Sequence, residues 1–266
     1  MNVDTATGLR FVEVIASVGV VVSSLELLAR PRLVDDASLM SWPVFRLRHP
    51  WFAGGASGAA IGRVLGFPRI LGIVALRLVA ALLLVALPTG GPVHVLLLGL
   101  VALGTSMLIL RTTFGLDGAD QLVLITFTTL ALVAVHPSAV AARLGLWFIA
   151  LQACLAYFTA GIYKVTSRTW WDGSALTGVL GTLSYGNRSL ARWFDSHRRT
   201  ALWCSRLFCA SEAAFPLVLL CPAGWLPYFL VWGVVFHASC AIIMGLNDFV
   251  WAFVATYPAI AYVVLR

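Results

Sequence analysis

Lysine is all but missing from this chain: Lys164 stands alone beside 17 arginines. Charge of any kind is scarce, at 11% of residues, while 61% are hydrophobic and mean hydropathy is +0.94. So little polar surface excludes an ordinary soluble domain. The five cysteines (Cys154, Cys204, Cys209, Cys221, Cys240) form no C-x-x-C, are odd in number and fall mostly in apolar runs. That pattern points to buried thiols and away from a disulfide framework. The five histidines form no H-x-x-x-H, so no metal site is expected. Internal repeats and low-complexity tails are also missing.

What is present is a succession of apolar runs near the roughly 20 residues that cross a bilayer. They predict an all-α fold: a polytopic integral membrane helical bundle of about eight transmembrane helices. The expected limits are Leu9–Ala29, Arg69–Leu87, Val93–Leu110, Asp120–Val135, Ala139–Tyr163, Leu202–Leu220, Trp225–Met244 and Phe249–Leu265. Turn chemistry separates them, in Pro88-Thr89-Gly90-Gly91-Pro92, His136-Pro137-Ser138, Cys221-Pro222-Ala223-Gly224 and Gly245-Leu246-Asn247-Asp248. The length suits one membrane domain, 1–266, with no separate soluble domain. The first run lacks a basic flank and a cleavage site, so it reads as a retained helix.

A net charge of +7 would raise nucleic-acid binding in a soluble protein. Here the arginines gather between apolar runs, and no nucleic-acid motif occurs. Membrane orientation and lipid headgroups explain them better. The connections after the first, third, fifth and seventh runs hold most of the basic residues, among them Arg111, Lys164, Arg192, Arg198 and Arg199. The positive-inside rule puts that side in the cytoplasm and both termini outside. Two connections are long. One carries Gly54, Gly58, Gly62 and Gly66 between Pro50 and Pro68, a spacing that lets a second backbone approach a helix; a glycine-rich interfacial segment is the plainer reading. The other, Lys164 to Ala201, carries Trp170, Trp171 and Trp193, residues suited to the membrane interface.

Ionisable groups inside spans mark candidate sites, because lipid penalises them. Glu13, Glu26, Arg77 and Glu212 are such groups, with Arg206 or Arg77 as an expected structural partner for Glu212. On the basic side the drawn topology gathers Asp117, Asp120, Gln121, Lys164, His237, Asn247 and Asp248. Tyr157, Gly161 and Lys164 follow i, i+4, i+7 spacing and share one helix face, where Gly161 admits a flat ligand or a neighbouring helix. A lysine in a dry pocket can yield a free amine and act as a base. His237 or a carboxylate could hold a substrate hydroxyl or relay the proton. Each residue also has a plainer reading. Lys164 can snorkel to headgroups, Asp120 and Asp248 can cap helices, and His237 can be a hydrogen-bonded core residue.

The string Ala156-Tyr157-Phe158-Thr159-Ala160-Gly161-Ile162-Tyr163-Lys164, followed by Trp170-Trp171-Asp172-Gly173, resembles the Y-F-x-A-G-x-x-K … W-x-x-G signature of the vitamin K-dependent gamma-carboxylase-like family, also called the HTTM (horizontally transferred transmembrane) domain family. Arg32 to Leu39 resembles its acidic-Gly-Leu segment, with Ala37 in place of the glycine. Gly118-Ala119-Asp120-Gln121 is similar to its G-x-D-Q entry to a central helix. Phe236-His237, Met244-Gly245 and Tyr257-Pro258 are similar to its F-H … M-G … Y-P ending. The ordered set spans nearly the whole chain.

The resemblance implies that Lys164 is the base for a reduced quinone of the vitamin K or menaquinol type, which oxygen then converts to an epoxide. His237 and Asp120 would support it, with Tyr157, Gly161, Gln121 and Asn247 as ligand-binding residues. Asp120 stands where the carboxylase has a histidine. The carboxylase's large lumenal portion does not fit within this length, so protein carboxylation by this chain alone is not expected. The family's site faces the lumen or its bacterial equivalent, whereas the charge count places Lys164 towards the cytoplasm. The expected setting is a multi-pass protein of a bacterial plasma membrane, with the lipid bilayer, a lipophilic quinone, and a peptide or membrane protein as partners, and no nucleic acid. The family also implies an alternative: a non-catalytic helper in peptide-toxin maturation or export, as in the sporulation-delaying-peptide system. A transporter using Glu13, Glu26 and Glu212 is a third reading, which the lack of an inverted repeat disfavours.

Overall fold

Helices account for every regular element among the described residues, and no strand occurs there. The computed structural model describes residues 4–38, 41–48, 54–111 and 118–266. Asp117, Pro50 and Leu39 lie outside them. In order the helices are α1 Thr5–Ala29, α2 Trp42–Phe45, α3 Gly55–Leu65, α4 Ile70–Ala86, α5 Gly91–Arg111, α6 Gly118–Val135 and α7 Ala139–Thr166. They continue as α8 Arg168–Trp171, α9 Ser174–Leu180, α10 Arg188–Ser196, α11 Arg198–Ala214, α12 Leu226–Met244, α13 Asn247–Val254 and α14 Tyr257–Leu265.

Seven helical stretches among the described residues are long and apolar enough to cross a membrane. An eighth follows if Gly58–Leu65 and Ile70–Ala86, bent by 61°, form one broken span. The protein is therefore an all-α polytopic membrane bundle. Leucines and valines such as Leu76, Val79 and Leu82 stay exposed on α4, as befits a surface solvated by hydrocarbon.

Prolines set the breaks. Pro258 has no N–H to donate to the Val254 carbonyl, so the last span divides into α13 and α14. Pro216 likewise cannot bond the Glu212 carbonyl. The Phe215 N–H takes that carbonyl instead, and the chain tightens into a 3-10 turn, Phe215–Leu219.

The chain divides into two compact units, one of Leu9–Gly145 and one of Leu146–Arg266 with the first few residues. Among the described residues of the N-terminal unit, every buried charge has partners. Arg77 donates to Ser24 Oγ at 3.1 Å and Ser23 Oγ at 2.8 Å. Arg10 donates to the carbonyls of Leu84, Val85 and Leu87 at the end of α4, which are orphaned by the helix terminus. Arg111, expected in a basic loop, is buried and donates to the carbonyls of Leu65 and Val34. It ties two segments of the first long connection to the end of α5. Gly62 does not receive a second backbone. A Cβ there would lie 3.0 Å from Trp42 Nε1, and Trp42 packs with Val34, Phe45, Leu65 and Ile70.

In the C-terminal unit the stretch between Lys164 and Ala201 folds into α8, α9 and α10. Asn187 caps α10 by accepting the Leu190 N–H at 3.1 Å. Ala191 and Phe194 turn inward against Leu176, Leu180 and Ala201, while Trp193 stays half exposed. This amphipathic layer suits the headgroup region.

Candidate functional site

Lys164 lies in the last turn of α7, and its Nζ donates to Glu212 Oε2 of α11. The pair is largely enclosed, with side-chain exposures of 23% and 7%. Trp170 places its ring centroid 5.3 Å from the amine, a cation–π distance. Gly161 makes this pairing geometrically possible. A Cβ there would fall 2.2 Å from the Ala213 nitrogen and 2.7 Å from the Glu212 carbonyl carbon. The backbones of α7 and α11 therefore touch, and the space beside Gly161 is filled by a helix. Glu212 takes Lys164 as its partner, while Arg206 donates to the Trp171 carbonyl at 3.1 Å and Arg77 donates to Ser23 and Ser24.

One turn before Gly161 on the same face, Tyr157 stacks on Phe215 with centroids 3.8 Å apart. The 3-10 turn forced by Pro216 delivers that ring. Tyr157 Oη shares hydrogen bonds with His237 Nε2 at 2.7 Å and Tyr257 Oη at 2.9 Å. His237, on α12, is 2% exposed and stacks on Phe253 at 4.2 Å. Its Nδ1 has no hydrogen-bond partner among the described residues. The Tyr257–Tyr157–His237 chain can pass a proton along its members, since each hydroxyl both donates and accepts. It sits seven residues from Lys164 along α7, about 10 Å of helix rise.

Gly233 makes room for this network, because a Cβ would stand 2.0 Å from Tyr257 Oη and 2.9 Å from Tyr157 Oη. Gly233→Ala is expected to displace Tyr257 and break the tyrosine pair, at a cost of about 1–3 kcal/mol. Thermal unfolding checks the cost, and tyrosine ultraviolet resonance Raman checks the hydroxyl hydrogen bonds. An unchanged Tm with an unchanged spectrum would show that the pair is not held this way.

Lys164, His237, Tyr157 and Gly161 thus belong to one wall of the C-terminal unit. Asn247 opens α13, which packs on α12 in the same unit. Asp120 and Gln121 stand in the first turn of α6 and belong to the N-terminal unit. Glu212 as the partner of Lys164 and Tyr257 as the partner of Tyr157 are contacts that the spacing of residues did not disclose. Pro216, four residues after Glu212, was the readable signal for a turn there.

A cavity of about 400 Å³ opens in this unit, lined by Asp172, Ser174, Thr177, Thr182, Asp195 and Arg198 among others. Hydrogen bonds from the Ser174 hydroxyl and N–H, with Arg168 and Arg198 nearby, hold the Asp172 carboxyl below the ordinary carboxylate range. Neither Lys164 nor His237 lines this cavity. Comparison with family models, curated proteins and solved structures finds no match for the chain.

Proposed function

We propose that this multi-pass membrane protein binds a reduced quinone of the vitamin K or menaquinol type in its C-terminal unit, with Lys164 accepting a hydroxyl proton. The carrying observation is the pairing of the only lysine with a buried glutamate beneath an aromatic ring. That donor set fits a hydroxylated aromatic ring: amine and carboxylate for the hydroxyl, Trp170 for the ring face. When bound, the quinol would supply the ring that molecular oxygen oxidises to an epoxide.

The residues supply the proton handling. An ammonium cannot accept a proton, so Lys164 must first pass one to Glu212. In a dry site that transfer exchanges an ion pair for a neutral pair and spares two desolvated charges. The free amine then takes the hydroxyl proton. His237 and Tyr157 form the polar wall one helix stretch away.

The test is oxygen uptake and epoxide formation by protein in nanodiscs supplied with menaquinol or vitamin K hydroquinone. Lys164→Ala is expected to lower turnover at least about 100-fold, the scale of a lost general base. Unchanged turnover in Lys164→Ala would sink the proposal. A non-catalytic helper in peptide maturation or export is the second reading. The Lys164–Glu212 pairing favours it too, since a paired amine serves well as a helix clasp. Stable co-purification of a peptide or membrane protein, with no quinol turnover in the wild type, would support the helper.

A further inference from the structure

The cavity of about 400 Å³ in the C-terminal unit takes no part in the proton handling at Lys164. Its lining comes from α9, the end of α10 and the first turn of α11. The volume falls within the roughly 300–1,000 Å³ of small-molecule sites. Asp172, Asp195 and Arg198, all exposed, bring groups of both signs to that lining. Hydrogen bonds from Ser174 chiefly, with Arg168 and Arg198 nearby, keep Asp172 ionised at neutral pH. Arg198 thus lies near Asp172, yet none of the three lining groups makes an ion pair among the described residues. They line one open space without closing on each other.

The local structure holds them there. Asp172 Oδ1 accepts the Ser174 N–H at 2.9 Å, which fixes the carboxyl beside α9 and leaves further acceptor positions unused. Asp195 lies in the last turn of α10, and Arg198 opens α11. Packing of Phe194 and Ala201 against Leu176 and Leu180 fixes both helices against α9. Gly178 keeps one wall open, since a Cβ there would meet nothing within 4 Å.

An occupant must answer both signs. A bare cation would meet the Arg198 charge, and a bare anion would meet two carboxyl groups. Among the described residues no group of three His, Cys, Asp or Glu side chains could hold a metal ion. A molecule with an ammonium and a phosphate on a short spacer satisfies all three groups. Its N–H donors suit the carboxyls, and its phosphate suits the guanidinium fork. A quaternary ammonium has no N–H to donate and is recognised by aromatic cages, whereas Phe194 is the only aromatic side chain in this lining. The cavity falls between the end of one candidate span, Ala139–Thr166, and the start of the next, Arg198–Leu219. Span ends lie at the level of the lipid headgroups.

We infer that this cavity is a binding site for a phosphoethanolamine group, as a lipid headgroup or in free form, with Asp172 and Asp195 taking the ammonium and Arg198 the phosphate. The site lacks Lys164 and does not rest on the quinol proposal.

Native mass spectrometry of the purified protein in detergent, titrated with phosphatidylethanolamine, phosphatidylcholine or phosphatidylglycerol of the same acyl chains, tests it. Phosphatidylethanolamine is expected to bind saturably and at least about tenfold more tightly than either other lipid, the scale of one charge-assisted hydrogen bond. Asp172→Asn, Asp195→Asn and Arg198→Gln should each weaken it about tenfold. Asparagine at 172 keeps the acceptor for the Ser174 N–H. Gly178→Leu fills the cavity, keeps all three charged groups and places a better helix former in α9, so it serves even where the charge variants fold poorly. It should abolish the preference. Glycerophosphoethanolamine is the soluble arm. If it binds and displaces the lipid, the headgroup alone suffices and a free ligand is supported; lipid that stays bound supports the membrane source. Equal binding of the three lipids, no saturable binding of either phosphoethanolamine form, or an unchanged preference in Gly178→Leu would overturn the inference.

Discussion

Glu212→Leu is expected to destabilise the protein by about 3–5 kcal/mol, the cost of leaving one member of a buried ion pair alone. Lys164 would be left between α7, α11 and the Trp170 ring with no carboxylate to meet it. The double variant Lys164→Met/Glu212→Leu should recover most of that loss, because it removes both charges and fills similar volume. Unfolding in mild detergent, measured for both singles and the double, gives the coupling directly. The cycle also separates two readings of the lysine. A snorkelling lysine reaches water whether or not Glu212 is present, and the single variant would then cost less than about 1 kcal/mol. A cost that small would also remove the ground for treating the pair as a proton-handling site.

Gly161→Leu should do comparable damage by a different route. Its Cβ would meet the backbone nitrogen of Ala213 at 2.2 Å and the Ala213 Cα at 2.5 Å. Backbone in a helix cannot swing aside as a side chain can, so α7 and α11 must separate. Overpacking of this kind costs about 1–3 kcal/mol or more. Separation would also open the Lys164–Glu212 pair and the Tyr157–Phe215 stack, since both depend on the same crossing. The composition supplies a direct probe: apart from the chain's amino terminus, an amine-reactive reagent has only Lys164 to label. Labelling at Lys164, read by mass spectrometry, is expected to rise several-fold in Gly161→Ala and further in Gly161→Leu. Native labelling rates in both variants would mean that the helices do not cross at Gly161.

The contrast between these residues shows what pattern alone conveys. Tyr157, Gly161 and Lys164 are legible as one helix face because helical periodicity is local. Glu212 was legible as an anomaly, a carboxylate inside an apolar run, yet its partner was not. The pair is separated by 48 positions, and two arginines, Arg206 and Arg77, competed for the same acid. Arg111 read as a loop cation by its neighbours, whereas the fold buries it to satisfy two carbonyls at segment ends. His94 carried no signal at all, because a lone histidine beside a proline turn acquires meaning only when α1 brings Glu13 against it.

The sequence by itself determined that the chain is helical and spans a membrane many times, and nearly where the spans lie. Hydropathy, run length and proline placement act over a few residues, and hydrocarbon leaves the backbone no alternative to the helix. Only the tertiary structure decided which polar groups meet. Those contacts depend on where helices cross, and a crossing is set by close approach at a glycine such as Gly161 and by the volume of the side chains around it.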